Sequence, residues 1–512
     1  MGAQVSKLPA DAASEKEFLN GLGRLHIKSA DADYGYVDHD EDLPSYETVS
    51  VAKVQRQPEG LSTQQIVSWQ GAFLEDPKNK LALSALSTAN PRTVLTSPSA
   101  LLSDPQVFNV KIPFEGGPIT NQRSSGRCWL FASTNIFRIA LMRRHGLESF
   151  ELSQSYLFFW DKLEKANWFL EQAIDTAARD IDSRLVQTLL GDIVSDGGQW
   201  DMVYNLVQKY GLVPQSLYPD SWNAKNTRVL NSVLHTKLRE AALRLRRIAR
   251  DETSTAADLA AAKKEIMREV LLVLTLTLGK PPSPNEEFTW SYLDKDGAAH
   301  EHRSTPKAFA KNIYSPAPRI TSAIIASMVS LVHDPRHEPL TLLTVSRLGN
   351  IVGGSGVTYI NVSMATLKAA CVAMLRAGLP VFFGSDVGKF SDTQSGVMDL
   401  DLVDYETGFN VSLLGMDKAD RLRTGESQMT HAMVLTGVHV DAKSGKSVRW
   451  RVQNSWGETA GDKGWFVMTD RWMDEFVYQA VVDPRFLAKE VKEVLRKEPV
   501  VLPLWDPMGS LA

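Results

Sequence analysis

Apolar positions are sparse at the start of this chain and dense in its middle and last third. Residues 1–58 scatter few aliphatics among polar groups and include the acidic stretch Asp31–Asp42, so they are expected to form a flexible N-terminal extension. Patterning begins at Leu61. Ser62 stands three residues before Gln65 in capping-box spacing, and Leu61 and Ile66 are placed as its hydrophobic staple, which predicts a helix through Ile66–Leu74. Loop signals follow at Pro91, Pro98 and Pro105. A proline- and glycine-broken stretch, Pro113–Gly126, then runs straight into the apolar segment Trp129–Met142, which Gly146 ends. That segment is too apolar for a surface helix and predicts one buried in the middle of a domain, with Cys128 in its first turn.

Further on, Leu230, Leu234, Leu238, Ala241, Leu245 and Ile248 recur at steps of three or four, predicting helices over 224–278 with a charged outer face. On that face Arg239, Arg244, Arg246, Arg247 and Arg250 are read as a solvated surface, with a polyanion-binding strip as the alternative. Met364–Leu375 reads as an apolar helix holding Cys371, and Leu379–Phe383 as a strand closed by Gly384. The last third carries the clearest hairpin: the apolar run Ala432–Val440, the turn Asp441–Lys446 and a second strand Val448–Gln453. No repeat of fixed period is evident.

Composition narrows the function classes. At 512 residues the chain has ample core volume for several packed units. A formal charge of -4 predicts no general attraction to nucleic acid or acidic lipid. Two cysteines can build neither a disulfide framework nor a thiolate zinc site, so no metal or cofactor is expected and a reducing, cytoplasmic setting is the default. The strongest apolar run, Val270–Leu278, is too short to span a bilayer. The N-terminus has no secretory layout, but Met1-Gly2-Ala3-Gln4-Val5-Ser6 fits the pattern for myristoylation at Gly2. One acyl chain without a second lipid or a basic cluster gives only weak membrane association.

Candidate chemistry centres on Cys128. A thiol attacks well near neutral pH when its anion is favoured, and a helix start and an imidazolium partner both do that. Of ten histidines, His26, His39, His145, His235, His300, His302, His333 and His337 lie in polar or loop-like settings, and His439 lies at the far end of an apolar strand. His431 opens that strand. The midpoint between His431 and Asn454 falls inside the hairpin turn, so the two are expected to face each other across the ladder, with the Asn454 amide oxygen fixing the tautomer of the ring. An oxyanion needs donors, and the Cys128 N–H and the Gln122 side-chain amide are the candidates.

Taken together, these residues resemble the papain family of cysteine peptidases. Asn121-Gln122-Arg123-Ser124-Ser125-Gly126-Arg127-Cys128-Trp129 looks like the nucleophile motif of that family, Thr430-His431-Ala432 like its histidine motif and Gln453-Asn454-Ser455-Trp456-Gly457 like its asparagine motif. Ser195-Asp196-Gly197-Gly198 is similar to the segment whose backbone lines the substrate cleft, which implies substrate-binding roles for Gly197 and Gly198. Ser125 and Ser195 stand where secreted members carry a disulfide, and the long interval from Cys128 to His431 leaves room for an insertion. With the C-terminal sequence Leu502–Ala512, these departures resemble the bleomycin hydrolase branch.

The resemblance implies an α+β fold of two lobes: a helical lobe over 59–223 and an antiparallel β lobe over 346–495, with an inserted helical subdomain over 224–345. A C-terminal arm, 496–512, would lie in the cleft. It also implies an aminopeptidase acting on peptides with a free N-terminus and on small amides, assembled as a homohexamer, with the carboxylate of Ala512 meeting the substrate amine. Some members of that branch bind nucleic acid, which the charge of -4 does not favour here. A polyanion-binding scaffold and a membrane-attached form of the enzyme are the alternatives.

Overall fold

The computed structural model describes residues 59–103, 105–316 and 319–511; the extension 1–58 with Gly2, and the terminal Ala512, lie outside them. The capping box at Ser62 forms as expected, and its helix runs Thr63–Phe73. The central helix runs Cys128–His145, buried from Cys128 through Met142, and ends on Gly146 at φ 62°. Glycine adopts that left-handed conformation without a Cβ penalty, and Arg143, Arg144 and His145 complement the carbonyl end of the helix dipole.

This helix packs against helix Gln154–Asp175 on one side and strand His431–Val440 on the other. The strand belongs to one large sheet. Across it run Trp465–Thr469, Ser447–Gln453, His431–Val440, Val381–Ser385, Val477–Val482, Val329–Val332, Thr358–Asn361, Thr341–Val345 and Val500–Leu502. The sheet is mixed rather than antiparallel. Val329–Val332 runs parallel to Thr358–Asn361, and Val500–Leu502 parallel to Thr341–Val345.

Two boundaries differ from expectation. Segment 224–345 is not wholly helical: helices Arg228–Arg250 and Ala256–Leu278 form a pair on helix Gln154–Asp175, but Val329–Val332 and Thr341–Val345 already belong to the sheet. A fully buried strand has no period-2 alternation to reveal it, and Val329–Val332 is buried at every position. Gly384 does not close its strand but lies inside it, because a Cβ there would come within 1.9 Å of Met429 Sδ. The arginines of helix Arg228–Arg250 are not simply solvated. Arg239 donates to Leu190 O, Arg246 to Thr176 O and Arg179 O, and Arg250 to Ala177 O and Arg179 O. No helix among the described residues is long and apolar enough to cross a membrane.

A hairpin, Phe288–Leu293 with Ala299–Ser304, docks beside the C-terminal end of the central helix, where Trp290 and His302 meet the His145 ring edge-on and Tyr292 hydrogen-bonds its Nδ1 at 2.8 Å. His145 is thus a packing residue, not a solvated one. The chain enters this region past Gly211, at φ 82°, with the Leu212 N–H donating to Pro306 O at 3.0 Å. A Cβ on Gly211 would lie 2.2 Å from the Pro306 backbone. Gly211→Ala is therefore expected to destabilise the protein by about 2–4 kcal/mol, from overpacking plus left-handed strain. Chemical denaturation would read this loss, and an unchanged midpoint would contradict the close approach.

Candidate active site

The nucleophile loop is held from below. Arg127, fully buried just before the central helix, makes a two-pronged ion pair with Asp220 at 2.9 and 3.0 Å and lies over the rings of Phe131 and Phe158. Burial alone would raise the Asp220 carboxyl, but the guanidinium more than offsets this and holds it below the usual carboxylate range. With Arg127 fixed, Cys128 becomes the first helical residue, where no earlier carbonyl of the helix claims its N–H. The backbone N–H of Ala432 reaches the Cys128 sulfur, so the start of the helix and the start of the His431 strand meet.

The imidazole of His431 is fixed by its neighbours. Its Nε2 lies 2.8 Å from Asn454 Oδ1, which also accepts from the Ser455 N–H at 2.7 Å. Because Ser455 N–H can only donate, the oxygen of the amide must face both groups, so Nε2 carries the ring proton and Nδ1 is left as a base. Trp456 stacks on the ring at 4.7 Å between centroids. His431 and Asn454 are not directly opposed, however. The ladder sets Val434 against Gln453, two positions away from the expected register, and a bulge between Leu435 and Gly437 shifts it again. The hydrogen bond is made from the loop just beyond the strand end.

Gln122 is held at three points. Its N–H donates to Ser455 O at 2.8 Å, its Oε1 accepts from Ser455 Oγ at 2.7 Å and its Nε2 donates to Ser125 O at 2.6 Å. A primary amide has two N–H groups, so one is still available. Ser125 and Ser195 make local hydrogen bonds, to Gln122 O and from the Gly197 N–H.

Across the cleft, Gly198 presses its backbone on Trp129: a Cβ would sit 2.6 Å from the indole. Trp129 Nε1 in turn donates to Asp196 O at 2.6 Å. The C-terminal arm runs through this region. Asp506 pairs with Arg336 at 2.7 Å, Trp505 lies under Arg184, Met508 O accepts from Tyr359, and Ser510 bridges the cleft by accepting from Gln199 Nε2 at 2.8 Å and donating to Met429 O at 2.6 Å. Beside the arm lies a cavity of about 800 Å³ bordered by Lys165, Ser195, Ser510 and Leu511. Of the expected site residues, His431 is hydrogen-bonded to Asn454, Gln122 is tied to Ser455 beside it, and Cys128 meets the amide of Ala432 next to His431, while Gly197 and Gly198 are buried against Lys165 and Trp129. Sequence reasoning gave no roles to Ser455, Trp456 and Asp196, although all three lie inside its motifs.

Burial decides the resting charge state. It pushes the Cys128 thiol up to about 11, against hydrogen bonds from the Ala432 and Trp129 amides, and pulls the His431 imidazole down to about 4, against the Asn454 hydrogen bond. Both shifts work against the charged forms of the sulfur and the ring, and the Ala432 amide and Asn454 work for them.

Burial likewise holds His145 and His333 down at about 4. A histidine near 6.5 when unfolded and lower when folded stabilises the fold above about 6.5 and loses that contribution as pH falls through its folded value. The thermal midpoint is expected to decline from about pH 6.5 to about pH 4, less steeply in His145→Phe. Scanning calorimetry across that range checks it, and a flat profile would contradict it.

Comparisons with known proteins agree with this geometry. The sequence matches the Peptidase C1-like family over residues 60–509. It is 43% identical over 466 residues to "Cysteine proteinase 1, mitochondrial" of Saccharomyces cerevisiae, covering 90% of this chain and 94% of that protein. It is 41% identical to the "Bleomycin hydrolase" of Homo sapiens, covering 88% of this chain and 99% of that one. Among solved structures, pepw of Lactobacillus rhamnosis superimposes with a TM-score of 0.84 at 37% identity, over 88% of this chain and 99% of that one. With the match spanning nearly all the described residues, this chain belongs to the Peptidase C1-like family.

Proposed function

We propose that the protein is a cysteine aminopeptidase that hydrolyses peptide and small amide bonds, in the manner of the relatives named bleomycin hydrolase. The observation that carries the reading is Ser510, which ties the C-terminal arm to Gln199 on one wall of the cleft and to Met429 on the other. On this reading the arm blocks the side of the cleft that would take residues before the scissile bond, so that only a substrate with a free N-terminus close to that bond is accepted. A terminal carboxylate on Ala512 would then pair with the substrate ammonium.

In the chemical step the Cys128 sulfur attacks the carbonyl carbon while its proton passes to Nδ1 of His431. The oxygen that becomes negative takes hydrogen bonds from the Cys128 N–H and the second amide hydrogen of Gln122. His431 returns the proton to the leaving amine, a thioester forms, and water activated by the same nitrogen releases the acid and restores the thiol. Asn454 keeps the ring in the tautomer this requires.

The same reading makes the enzyme a cytoplasmic homohexamer. Its support is the two free cysteines and the helices Thr63–Phe73 and Pro77–Leu86, which bury no residue and expose Val67, Phe73, Leu81 and Leu83. Myristoylation of Gly2 would add weak membrane contact. Nucleic acid is not favoured as a partner, since several arginines of helix Arg228–Arg250 are committed to main-chain carbonyls.

Two variants of the full chain test the proposal with aminoacyl-fluorophore amides and their N-acetylated counterparts. Cys128→Ala is expected to lose turnover by about 10³-fold or more. Removing Leu511 and Ala512 is expected to raise cleavage of the blocked substrate about 10-fold relative to the free amine. Full activity in the first variant would overturn the peptidase assignment, and an unaltered preference in the second would overturn the role of the arm. Asn454→Ala is expected to lower kcat about 10²-fold with little change in KM. Steady-state kinetics would show this, and a change confined to KM would argue against an orienting role.

A further inference from the structure

Helix Gln154–Asp175 carries two lysines into the protein interior. Lys162 and Lys165 are both buried. Neither points to solvent or to the reacting groups; both turn to the segment that lines the cleft. Lys162 Nζ reaches Val194 O and makes an ion pair with Asp196 Oδ1 at 2.6 Å. Lys165 Nζ donates to Ser195 O at 2.9 Å and to Gly197 O at 2.6 Å, and is neutralised by Asp161 at 2.7 Å, four residues earlier on the helix. Three carbonyls of Val194–Gly197 are thus drawn down onto one helix, which fixes the height of the backbone at Gly197 and Gly198.

Asp196 carries the constraint across to the nucleophile. Its Oδ2 accepts from the Gly126 N–H at 3.0 Å and from Thr227 Oγ1 at 2.5 Å, and its Oδ1 from Asn231 Nδ2 at 2.9 Å. Gly126 lies two residues before Cys128, and a Cβ on it would meet Asp196 Cβ at 2.8 Å. Burial alone would raise this carboxyl, yet Lys162, Thr227 and the Gly126 amide together hold it far below the carboxylate range, so it is charged. A fixed ion pair therefore sits under the loop that presents the sulfur.

We propose that Lys162, Lys165 and Asp196 are positioning residues for the peptidase reaction, a buried clamp in which Lys165 sets the substrate-binding edge and the Lys162–Asp196 pair balances the charge next to the Cys128 thiol. The inference rests on Cys128 being the nucleophile. The charged group that acts on that thiol is Asp196, which is paired with Lys162; near it in sequence or across the fold are His431, next to the Ala432 amide that meets the sulfur, and Arg127, the preceding residue, itself paired with Asp220. The Asp196 charge disfavours the thiolate, and Lys162, paired with that carboxylate at 2.6 Å, offsets it at its source.

The test is the pH dependence of iodoacetamide alkylation of Cys128 in the full chain, followed by mass on the peptide that contains it. Asp196→Asn removes the anion, keeps an oxygen for Gly126, and is expected to shift the midpoint down by about 0.5 pH unit or more. Lys162→Met removes the cation and is expected to shift it up by a similar amount. The double variant, with neither charge, is expected to return close to the wild-type midpoint. Loss of packing alone would move both single variants the same way, and that result, or a double variant no different from Asp196→Asn, overturns the charge-balance role. If Asp196→Asn does not fold, Lys162→Met and the double variant decide: the expected result is an upward shift in the first that the second cancels, and any other pattern overturns it. Lys165→Met is expected to raise KM for an aminoacyl-fluorophore about 10-fold with kcat within about two-fold; an unchanged KM removes Lys165 from the clamp. Should Cys128→Ala keep turnover, the underlying peptidase reading fails instead, and the two failures are told apart.

Discussion

The packing of helix Cys128–His145 on strand His431–Val440, which brings the Ala432 amide to the Cys128 sulfur, is the contact on which the candidate site depends. The sulfur belongs to the first residue of a helix and the amide to the second residue of a strand, elements brought together only by the folding of the whole chain. Neither can shift alone. The helix is buried through Met142, and the strand is paired on one side to Val381–Ser385 and on the other to Ser447–Gln453. Close packing of this kind transmits small displacements, so a nucleophile and base carried on two buried elements keep their geometry without side chains that reach across open space.

That rigidity has an electrostatic cost. Burial raises the thiol and lowers the imidazole, so both groups are held against separating charge between them. Stacking Trp456 on the ring and fixing Nε2 through Asn454 restrict the imidazole to one orientation, in which Nδ1 is the basic nitrogen. The hydrogen bond that the ring donates to Asn454 favours the protonated ring, which is the form His431 takes once the thiol has given up its proton. Orientation thus offsets what burial takes away.

Much of the site was legible because its signals were local. The loop before Trp129–Met142 announced a helix start at Cys128, and the turn Asp441–Lys446 announced the hairpin that brings Asn454 towards His431. The register was missed by two positions because the turn is centred one residue beyond the midpoint of His431 and Asn454, the two bulges cancelling each other, and Val329–Val332 was absorbed into a helical insertion because every residue in it is buried. Gly384 was read as a terminator when its role is to admit Met429. Asp161 and Lys165 did leave a sign, an opposite-charge pair at helical spacing within an aromatic-rich run, but what they hold lies about thirty residues further along, and no periodicity encodes that.

Charge explains why the cleft walls are built this way. A buried ion pair seldom adds net stability over an apolar one, and breaking one side of it costs about 3–5 kcal/mol, so such pairs suit places where a fixed position matters more than stability. Here Arg127 with Asp220, Lys162 with Asp196 and Lys165 with Asp161 each close on themselves close to the reacting groups. Each holds a loop with its charge largely matched by its partner. On the proposed reading, the terminal carboxylate then meets a substrate ammonium without competition from these pairs, and the selection for a free N-terminus follows from charges already cancelled inside the wall as much as from the arm that blocks the cleft.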